Sequence, residues 1–384
     1  MLAHHHPAHS PGRPSVSVTP YRVLFVGAGN IVRAVHMPAF LAHAPDFTVV
    51  GAVDADAEAA RSFAADFALP HHSTDLHTAL REVRPDLVVI ASPPVAHREQ
   101  TVAALEAGAW VWCEKPPALS LAEYDAMTAA EGEAGPYAPI VFQHRFGSGA
   151  EHAKALIASG GLGAPLVAHC QTTWYRDDAY YAVPWRGKWA TEGAGPAMGL
   201  GIHQIDLMLE LLGDWAEIRA MAGRLARDTE TDDVTTATVR FASGALATVV
   251  NSALSPRQVS HLRIDLRDAT IELNHLYGYG NGDWTYTPAP GVDPARTAAR
   301  STPAEDIPSS HGAQLRSLLA DMRAGRRPRA SAGDGRRSLE LITAMYKAAL
   351  TGATVLAGEI VPGDPFYTAL HGSVPGWAPE ESGR

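Results

Sequence analysis

A glycine-rich turn between an apolar strand and a helix constrains the fold of this chain more than any other feature. Residues 22–26 have the composition of a buried strand, Gly27-Ala28-Gly29 follows, and a helix is predicted from about Asn30, with Ile31 in its first turn. Glycines let the backbone approach a pyrophosphate, whose charge the N-terminus of the helix stabilises. Val32 replaces the third glycine of such a fingerprint, which affects helix packing more than phosphate contact. The turn predicts a dinucleotide site, with an ordinary tight strand-to-helix turn as the alternative.

The first part of the chain alternates short apolar runs with helical stretches. Apolar runs recur at residues 47–53, 87–91, 110–113 and 140–143. Strands of this kind, separated by helices, indicate a parallel sheet covered on both faces. Asp54 ends the second strand, where an acid binds the ribose hydroxyls of adenosine. We therefore predict an α/β Rossmann domain, with a doubly wound parallel sheet, over residues 21–143.

The second part of the chain, residues 144–384, has longer strands that partly alternate polar and apolar residues. The predicted strands cover residues 166–175, 218–225, 235–241, 245–252, 262–266 and 270–276, with helices at 202–212, 313–324 and 336–350. Ser243-Gly244 separates two of the strands as a hairpin turn. These elements predict an α+β domain with a large, mainly antiparallel open sheet. Because few helices are available to cover that sheet, we expect its free face to pack on another copy, giving a homodimer or homotetramer.

Composition excludes several classes of protein. The formal net charge of −10 argues against a nucleic-acid or membrane-surface partner. Cys113 and Cys170, the only cysteines, provide neither a disulfide framework nor a thiolate metal site, and no metal is expected. No apolar run reaches transmembrane length, and residues 1–20 lack the apolar segment of a signal peptide. We expect a flexible tail over residues 1–20, a cytoplasmic location and a small-molecule partner.

Two further segments carry ionisable groups beside a strand end or a run of glycines. Lys115 follows the strand predicted at residues 110–113, at the sheet edge where open α/β sheets bind ligands, and a lysine there can hold a hydroxyl group. His203 and Asp206 are three positions apart, so they share one face of the predicted helix. A histidine beside a carboxylate can accept a proton near neutral pH. The alternatives are a surface lysine and a histidine that caps the helix or is buried for structural reasons.

Several short motifs follow one another in a set order. They are the Gly27 turn, Ala91-Ser92-Pro93-Pro94 with His97, Glu114-Lys115-Pro116, Phe142-Gln143-His144-Arg145-Phe146 and Gly201-Ile202-His203-Gln204-Ile205-Asp206. In this set the chain resembles the family of glucose-fructose oxidoreductase, inositol dehydrogenase and MocA, from Tyr21 onward. The resemblance implies an oxidoreductase that acts on a sugar-like substrate with a nicotinamide cofactor.

The resemblance also implies roles for individual residues. Lys115 is expected to contact both substrate and nicotinamide, and His203 to carry the proton. Asp206 is expected to bind substrate hydroxyls or to orient His203. The cofactor would be lined by Gly27, Gly29, Asn30, Ile31, Asp54, Ser92, Pro93, Pro94, His97, Glu114, Lys115 and Gln143.

An aromatic-rich stretch is expected to form part of the substrate pocket. Arg186 lies in Trp185-Arg186-Gly187-Lys188-Trp189, which looks like the corresponding segment of family members that act on sugars or anhydrosugars. Tyr175 belongs to a group of aromatic residues that also includes Trp174, Tyr180 and Tyr181. Aromatic side chains with polar edges stack on sugar rings, with a core or interface role as the alternative. We therefore expect Arg186 and Tyr175 to bind substrate.

Position 199 departs from the family. Many members carry an acid four residues before the histidine, whereas this chain has Gly199. Two hypotheses follow: a dehydrogenase acting on a hydroxyl-bearing carbon of a sugar, glycoside, cyclitol or sugar derivative, or a cofactor-binding sensor or regulatory protein that has lost turnover. Retention of both Lys115 and His203 favours the enzyme. If the acid is simply absent, Gly199→Asp is expected to raise activity or shift the pH optimum.

The surroundings of Asp54 predict which nicotinamide cofactor is preferred. Ala55 and Asp56 follow it, and no Arg or Lys occurs before Arg61. The 2′-phosphate of NADP would therefore meet negative charge. We expect NAD to be preferred, with NADP as the second possibility because some relatives with an acid here accept both.

Overall fold

The structure is a computed structural model that describes residues 19–379, so most of the predicted N-terminal tail lies outside the described residues. Strands and helices alternate over the first part of this range. They are β1 (Tyr21–Val26), α1 (Met37–Leu41), β2 (Phe47–Val53), α2 (Ala57–Asp66), β3 (His71–Ser73), α3 (Leu76–Val83), β4 (Leu87–Ile90), α4 (His97–Glu106), β5 (Trp110–Cys113) and α5 (Leu121–Ala129). A π-helical segment, Val32–His36, leads directly into α1.

The first five strands form one parallel sheet in the order β3-β2-β1-β4-β5. The strand order reverses between β1 and β4, so the carboxyl ends of these strands flank a crevice of the kind in which open α/β sheets bind ligands. The predicted Rossmann sheet is confirmed. The strand predicted at residues 140–143 is wrong: only an isolated bridge joins Ile140 to Cys113, because the chain turns into a 3-10 helix at Gln143–Phe146.

The second part of the chain builds a larger sheet with helices on one side. Its elements are α6 (Ser148–Ala158), β6 (Pro165–Tyr175), α7 (Asp178–Tyr181), α8 (Trp189–Glu192), α9 (Pro196–Gly199), α10 (Ile202–Leu212), β7 (Trp215–Gly223), β8 (Val234–Phe241), β9 (Leu246–Ser252), β10 (Leu254–Leu266), β11 (Ala269–His275), β12 (Trp284–Pro288), α11 (Pro294–Ala298), α12 (His311–Ala324), α13 (Ala332–Thr351), β13 (Val355–Leu356) and α14 (Pro365–Thr368).

The eight strands of the second sheet are ordered β12-β11-β10-β6-β9-β8-β7-β13. Every pair is antiparallel except β6 with β9, so the predicted mainly antiparallel sheet is confirmed. The predicted hairpin at Ser243-Gly244 joins β8 to β9, and Gly244 adopts a φ of +90° that favours glycine. Asp334 lies in the first turn of α13, whose N-cap is Ser331.

One face of the second sheet is covered and the other is open. Side chains of β8 alternate between buried and exposed, and the buried ones include Ala237 and Val239. On the opposite face the register puts Thr238 beside Thr248, and Met221 and Leu246 there are 75% and 56% exposed. The helices of residues 19–379 therefore leave apolar surface uncovered on this face.

The two parts of the chain share a core through α12. Leu315, Leu318 and Met322 of this helix pack in one cluster with Val23 and Phe25 of β1. A helix from the second part thus completes the layer over the first sheet. No helix among the described residues is both long enough and apolar enough to cross a membrane.

Candidate active site

The glycine turn has the geometry of a cradle for a dinucleotide. Gly27 adopts a φ of +97°, and a Cβ atom there would lie 2.7 Å from the carbonyl carbon of Ala91, so a side chain would collide with the end of β4. A Cβ atom at Gly29 would have no neighbour within 4 Å, so the backbone there faces open space. Asn30, in the first turn of the helix, is exposed, and Ile31 reaches the adjoining cavity. The residues present fit a bound pyrophosphate.

Asp54 fixes the other side of the cradle. Its Oδ2 accepts a hydrogen bond from the backbone N–H of Ala28 at 2.8 Å, and its Oδ1 accepts one from that of Asp56 at 2.9 Å. A carboxylate is therefore held at the carboxyl end of β2. The nearest arginine on the helix that follows the glycine turn, Arg33, is paired with Asp66 at 2.5 Å.

A cavity of about 300 Å³ opens beside this cradle. It is lined by Ile31, Ala91, Ser92, Pro94, Glu114, Lys115, Pro116, Trp174, Arg176, Tyr180, Trp185, Arg186, Glu192, Gly199, Leu200 and Tyr277. The first sheet and the second part of the chain both contribute. The predicted residues Ile31, Ser92, Pro94, Lys115 and Arg186 are thus brought together at one place.

Lys115 is held at the wall of the cavity. Its ammonium Nζ donates a hydrogen bond to the carbonyl oxygen of Gly199 at 3.1 Å. Burial lowers the pKa of Lys115, and the carboxylate of Glu114 opposes that effect. The side chain is therefore positioned by contact with the second part of the chain, unlike a surface lysine.

Glu114 is the centre of a buried cluster. Its Oε1 lies 2.8 Å from Nε2 of His36 and 3.2 Å from Nε2 of His311, and its Oε2 accepts a hydrogen bond from the backbone N–H of Lys115. Burial alone would raise the pKa of Glu114, but the hydrogen bonds from His311 and His36 outweigh it and hold the pKa well below its ordinary value. These three side chains have donor types that could hold a metal ion. In the structure their mutual hydrogen bonds already satisfy the carboxylate.

His203, in the first turn of α10, does not line the cavity but lies near Tyr277, which does. It is 2% exposed, and its ring centroid is 5.0 Å from that of His144 and 6.1 Å from that of Tyr277. Neither ring nitrogen has a hydrogen-bond partner within residues 19–379, so the helix-cap alternative is wrong. Burial, followed by the positive charge of Lys115, holds the pKa of His203 well below its ordinary value of 6.5. The ring is therefore neutral at pH 7, and it is buried without a hydrogen-bond partner among the described residues.

Three further residues predicted to line the cofactor, His97, Gln143 and Pro93, are not among those that line the cavity. His97 is buried, with Nδ1 2.9 Å from the carbonyl oxygen of Pro116 and Nε2 2.8 Å from that of Ser92, so it joins the two loops that border the cavity. Gln143 is buried, and its amide has no partner in the described part of the chain. Pro93 is exposed on its loop and does not line the cavity.

The expected substrate role of Asp206 is corrected by the structure. Its carboxylate is fully buried and accepts hydrogen bonds from Nε and Nη2 of Arg145 at 2.7 and 2.6 Å, and from Ser338 Oγ at 2.7 Å. None of these partners lines the cavity, and His203 is not bonded to Asp206. Asp206 thus belongs to a buried ion-pair network with Arg145.

The expected role of Tyr175 is corrected as well. Tyr175 is 43% exposed and its ring packs under the guanidinium group of Arg227, outside the cavity. Its neighbour Trp174 lines the cavity instead, because consecutive residues of a strand point to opposite faces. Tyr180 and Trp185 join Trp174 in the wall, as the aromatic-rich stretch indicated.

Sequence reasoning missed four residues of the cavity wall: Arg176, Glu192, Leu200 and Tyr277. The guanidinium of Arg176 lies 5.1 Å from the ring centroids of both Trp174 and Tyr180. Tyr277 follows the end of β11. Gly278, the next residue, was the one sequence feature that indicated a turn there. Glu192 had no sequence signal, since it reaches the cavity only through the folding of α8.

Family models match both parts of the chain. Residues 21–138 match the model described as the oxidoreductase family with an NAD-binding Rossmann fold, and residues 150–272 match the Gfo/Idh/MocA C-terminal domain. The chain belongs to the Gfo/Idh/MocA family of oxidoreductases. The predicted family, enzyme class and NAD-binding domain are confirmed.

Individual relatives are similar over most of their length. The D-glucoside 3-dehydrogenase of Escherichia coli (strain K12) is 27% identical over 295 residues, which are 71% of this chain and 82% of that protein. The D-apiose dehydrogenase of Paraburkholderia graminis is 28% identical over 317 residues, 80% of this chain and 82% of that protein. The structure of the WlbA dehydrogenase from Bordetella pertussis, solved in complex with NADH and UDP-GlcNAcA, superimposes with a TM-score of 0.78 at 25% sequence identity. The superposition covers 88% of this chain and 99% of the WlbA chain.

The fixed carboxylate of Asp54 predicts tighter binding of NADH than of NADPH. The 2′-phosphate of NADPH would meet the carboxylate of Asp54. Arg33 is already paired with Asp66, so its positive charge offsets little of the resulting repulsion. We expect a difference in Kd of roughly tenfold or more. Asp54→Asn, which retains an acceptor for Ala28 N–H, should narrow the difference in fluorescence titrations. Asp75→Asn, at the N-cap of α3, is the control; tighter binding of NADPH by the unaltered protein would contradict the prediction.

The burial of Asp206 predicts a structural effect of its removal. Asp206→Ala leaves Arg145 with a weaker set of partners in the core, and we expect a loss of about 3 kcal/mol in the free energy of unfolding. Urea denaturation measures this loss. Glu82→Ala, an exposed acid, is the matched control and should change stability little. Unchanged stability together with lost substrate binding would restore the role that the sequence assigned to Asp206.

Proposed function

We propose that this protein is an NAD-dependent dehydrogenase that transfers a hydride between the nicotinamide and a hydroxyl-bearing carbon of a sugar, glycoside, cyclitol or sugar derivative. The observation that carries the proposal is the cavity beside the glycine cradle, where the ammonium of Lys115 meets a wall of Trp174, Tyr180 and Trp185. A cation can bind a hydroxyl oxygen, and aromatic rings can pack on the apolar face of a sugar. The relatives named as acting on sugars support the same substrate class.

The cofactor would be held by residues at the carboxyl ends of the first sheet. Gly27, Gly29 and the first turn of the following helix would hold the pyrophosphate, and Asp54 the ribose. Ser92, Pro94 and Ile31 would line the way to the cavity. When bound, the nicotinamide supplies the acceptance and return of hydride, which side chains do not provide.

Proton transfer would be divided between two side chains. In the oxidative direction Lys115 would bind the substrate hydroxyl oxygen and stabilise its growing negative charge. His203 would take the proton, because its ring is neutral and both nitrogens lack other partners. Arg186 would contact substrate hydroxyls, since this residue also lines the cavity.

The sensor or regulatory alternative is not favoured. It rested on Gly199, and the relatives that match the chain are named as dehydrogenases or reductases. The cytoplasmic location remains a prediction.

Replacing Lys115 or His203 should impair turnover while cofactor binding survives. We expect Lys115→Ala and His203→Ala each to lower kcat/KM by roughly a hundredfold or more, the scale of electrostatic or acid–base groups. Since the pKa of His203 is lowered, its neutral form persists to lower pH, and the acidic limb of kcat/KM should lie below pH 6.5. The measurement is the absorbance of reduced nicotinamide across a sugar panel, with NADH titrations for binding.

His72→Ala supplies the control, because His72 is exposed on β3 and lies outside the cavity. Near wild-type turnover in His203→Ala would reject the proton-transfer role. A panel on which the unaltered protein reduces no NAD, in the presence of demonstrated NADH binding, would count against the dehydrogenase itself.

We further propose that the open face of the second sheet packs on another copy, giving a homodimer or homotetramer. The exposed apolar residues Met221 and Leu246 on that face support this, since burying such surface is favourable. The double variant Met221→Glu and Leu246→Glu should shift the mass in light scattering towards the monomer. Leu41→Glu, an exposed residue of α1, should not. A monomeric unaltered protein at micromolar concentration would contradict the proposal.

A further inference from the structure

The side chain of Glu192 fills the space beside Gly199 that a side chain at position 199 would enter. A Cβ atom added at Gly199 would lie 3.2 Å from Oε1 of Glu192. On its other side, the carbonyl oxygen of Gly199 accepts the hydrogen bond from Nζ of Lys115 at 3.1 Å. The carboxylate of Glu192 therefore lies against the residue that holds Lys115, where a side chain at position 199 would begin.

The carboxylate of Glu192 is held in one orientation. Its Oε1 accepts a hydrogen bond from Nη1 of Arg186 at 2.7 Å, and its Oε2 accepts one from the backbone N–H of Gly187 at 2.7 Å. The side chain is largely buried, yet it lines the same cavity as Lys115. Burial raises the pKa of Glu192, and the charge of Arg186 and the hydrogen bonds from Gly187 and Arg186 oppose that effect. The carboxylate is therefore held beside the cavity without having to be ordered by a substrate.

Lys115 needs such a charge because other cations surround it. Arg186 and Arg176 both lower the pKa of Lys115, in addition to the larger effect of burial, whereas Glu114 and Glu192 raise it. Of these two acids, Glu114 already accepts hydrogen bonds from two histidines. Glu192 is faced by Arg186, Lys115, Tyr180 and Tyr181.

We propose that Glu192 is a positioning residue: from α8 it holds a carboxylate against Gly199, the residue that binds the ammonium of Lys115, and so favours the charged form of that lysine. This role rests on the proposed dehydrogenase function, in which Lys115 acts as a cation. It changes the expectation for Gly199→Asp. In the unaltered protein a second carboxylate would meet Glu192, so the substitution should restore function only where Glu192 has been neutralised.

The titration of Lys115 tests the proposal without any substrate. The chain has only four lysines, so acetylation by acetic anhydride can be followed at Lys115 by peptide mass spectrometry across pH, with Lys154 as the internal reference. Glu192→Gln should move the Lys115 profile to lower pH, because the ammonium loses a stabilising charge. Arg186→Gln should move it to higher pH, because an opposing cation is removed. Adding Gly199→Asp to Glu192→Gln should return the profile towards that of the unaltered protein.

Glu82→Gln, at an exposed position of α3, should leave the profile unchanged. Unchanged Lys115 profiles in both Glu192→Gln and Arg186→Gln, or shifts in the same direction, would overturn the proposal. If Glu192→Gln does not fold, Arg186→Gln still tests the proposal. A Lys115 profile in Arg186→Gln that is unchanged, or moved to lower pH, also rejects the proposal.

Turnover then separates this inference from the proposed function. With an active substrate, Glu192→Gln should lower kcat/KM roughly ten- to a hundredfold, with the basic limb moved to lower pH, and the double variant should recover part of the loss. Opposite shifts of the acetylation profile in a protein that oxidises no sugar would retain the role of Glu192 at Lys115 and reject the dehydrogenase. Normal kinetics in Glu192→Gln would reject the role of Glu192 and retain the dehydrogenase.

Discussion

The bidentate ion pair between Arg145 and Asp206 fixes the segment that leaves the first domain against the helices of the second part of the chain. Arg145 lies in the 3-10 helix just after the first domain, and its guanidinium contacts Asp206 of α10 and Asp334 of α13. Removing such charges from water is costly, and good geometry with further hydrogen bonds is needed to offset the cost. Here Nε and Nη2 of Arg145 donate two parallel hydrogen bonds to Asp206, and Nη1 donates to both carboxylate oxygens of Asp334. Ser338 adds another hydrogen bond to Asp206. The pair thereby fixes the helix whose first turn carries His203.

A second buried cluster sets the position of Lys115. Glu114, the residue before it, bonds to His36 from the π-helical segment and to His311 from α12. Three elements distant in sequence are thus joined at the carboxyl end of β5. The backbone N–H of Lys115 donates to the same carboxylate, and Nδ1 of His97 lies 2.9 Å from the carbonyl oxygen of Pro116, so the chain on both sides of the lysine is constrained. The side chain of Lys115 is held separately, by its hydrogen bond to Gly199 and by the charges near its ammonium group.

The parts of the molecule that sequence could predict are those governed by local pattern. The glycine turn, four of the five apolar strands predicted in the first part of the chain and the β8–β9 hairpin depend on neighbouring residues, and these predictions were confirmed. The fifth strand, at residues 140–143, was not. The misplaced residues depend on side-chain direction. Tyr175 and Trp174 are adjacent, yet one side chain faces solvent and the other the cavity. His203 and Asp206 share a helical face, but the fully buried Asp206 is claimed by Arg145, which lies far away in sequence. Glu192 reaches Lys115 through tertiary structure alone.

The packing of α12 on the first sheet has a consequence for how the chain is made. Leu315, Leu318 and Met322 cover β1, although nearly three hundred residues separate the two elements. A ribosome releases the glycine turn long before it releases the helix that completes the layer above it. The emerging nucleotide-binding half must therefore remain with part of its apolar surface open to water, or to a chaperone, until translation has passed residue 324. A fragment ending at residue 143 would retain that exposed surface permanently, so the domain boundary drawn along the sequence is not a place at which the protein can be cut into independent modules.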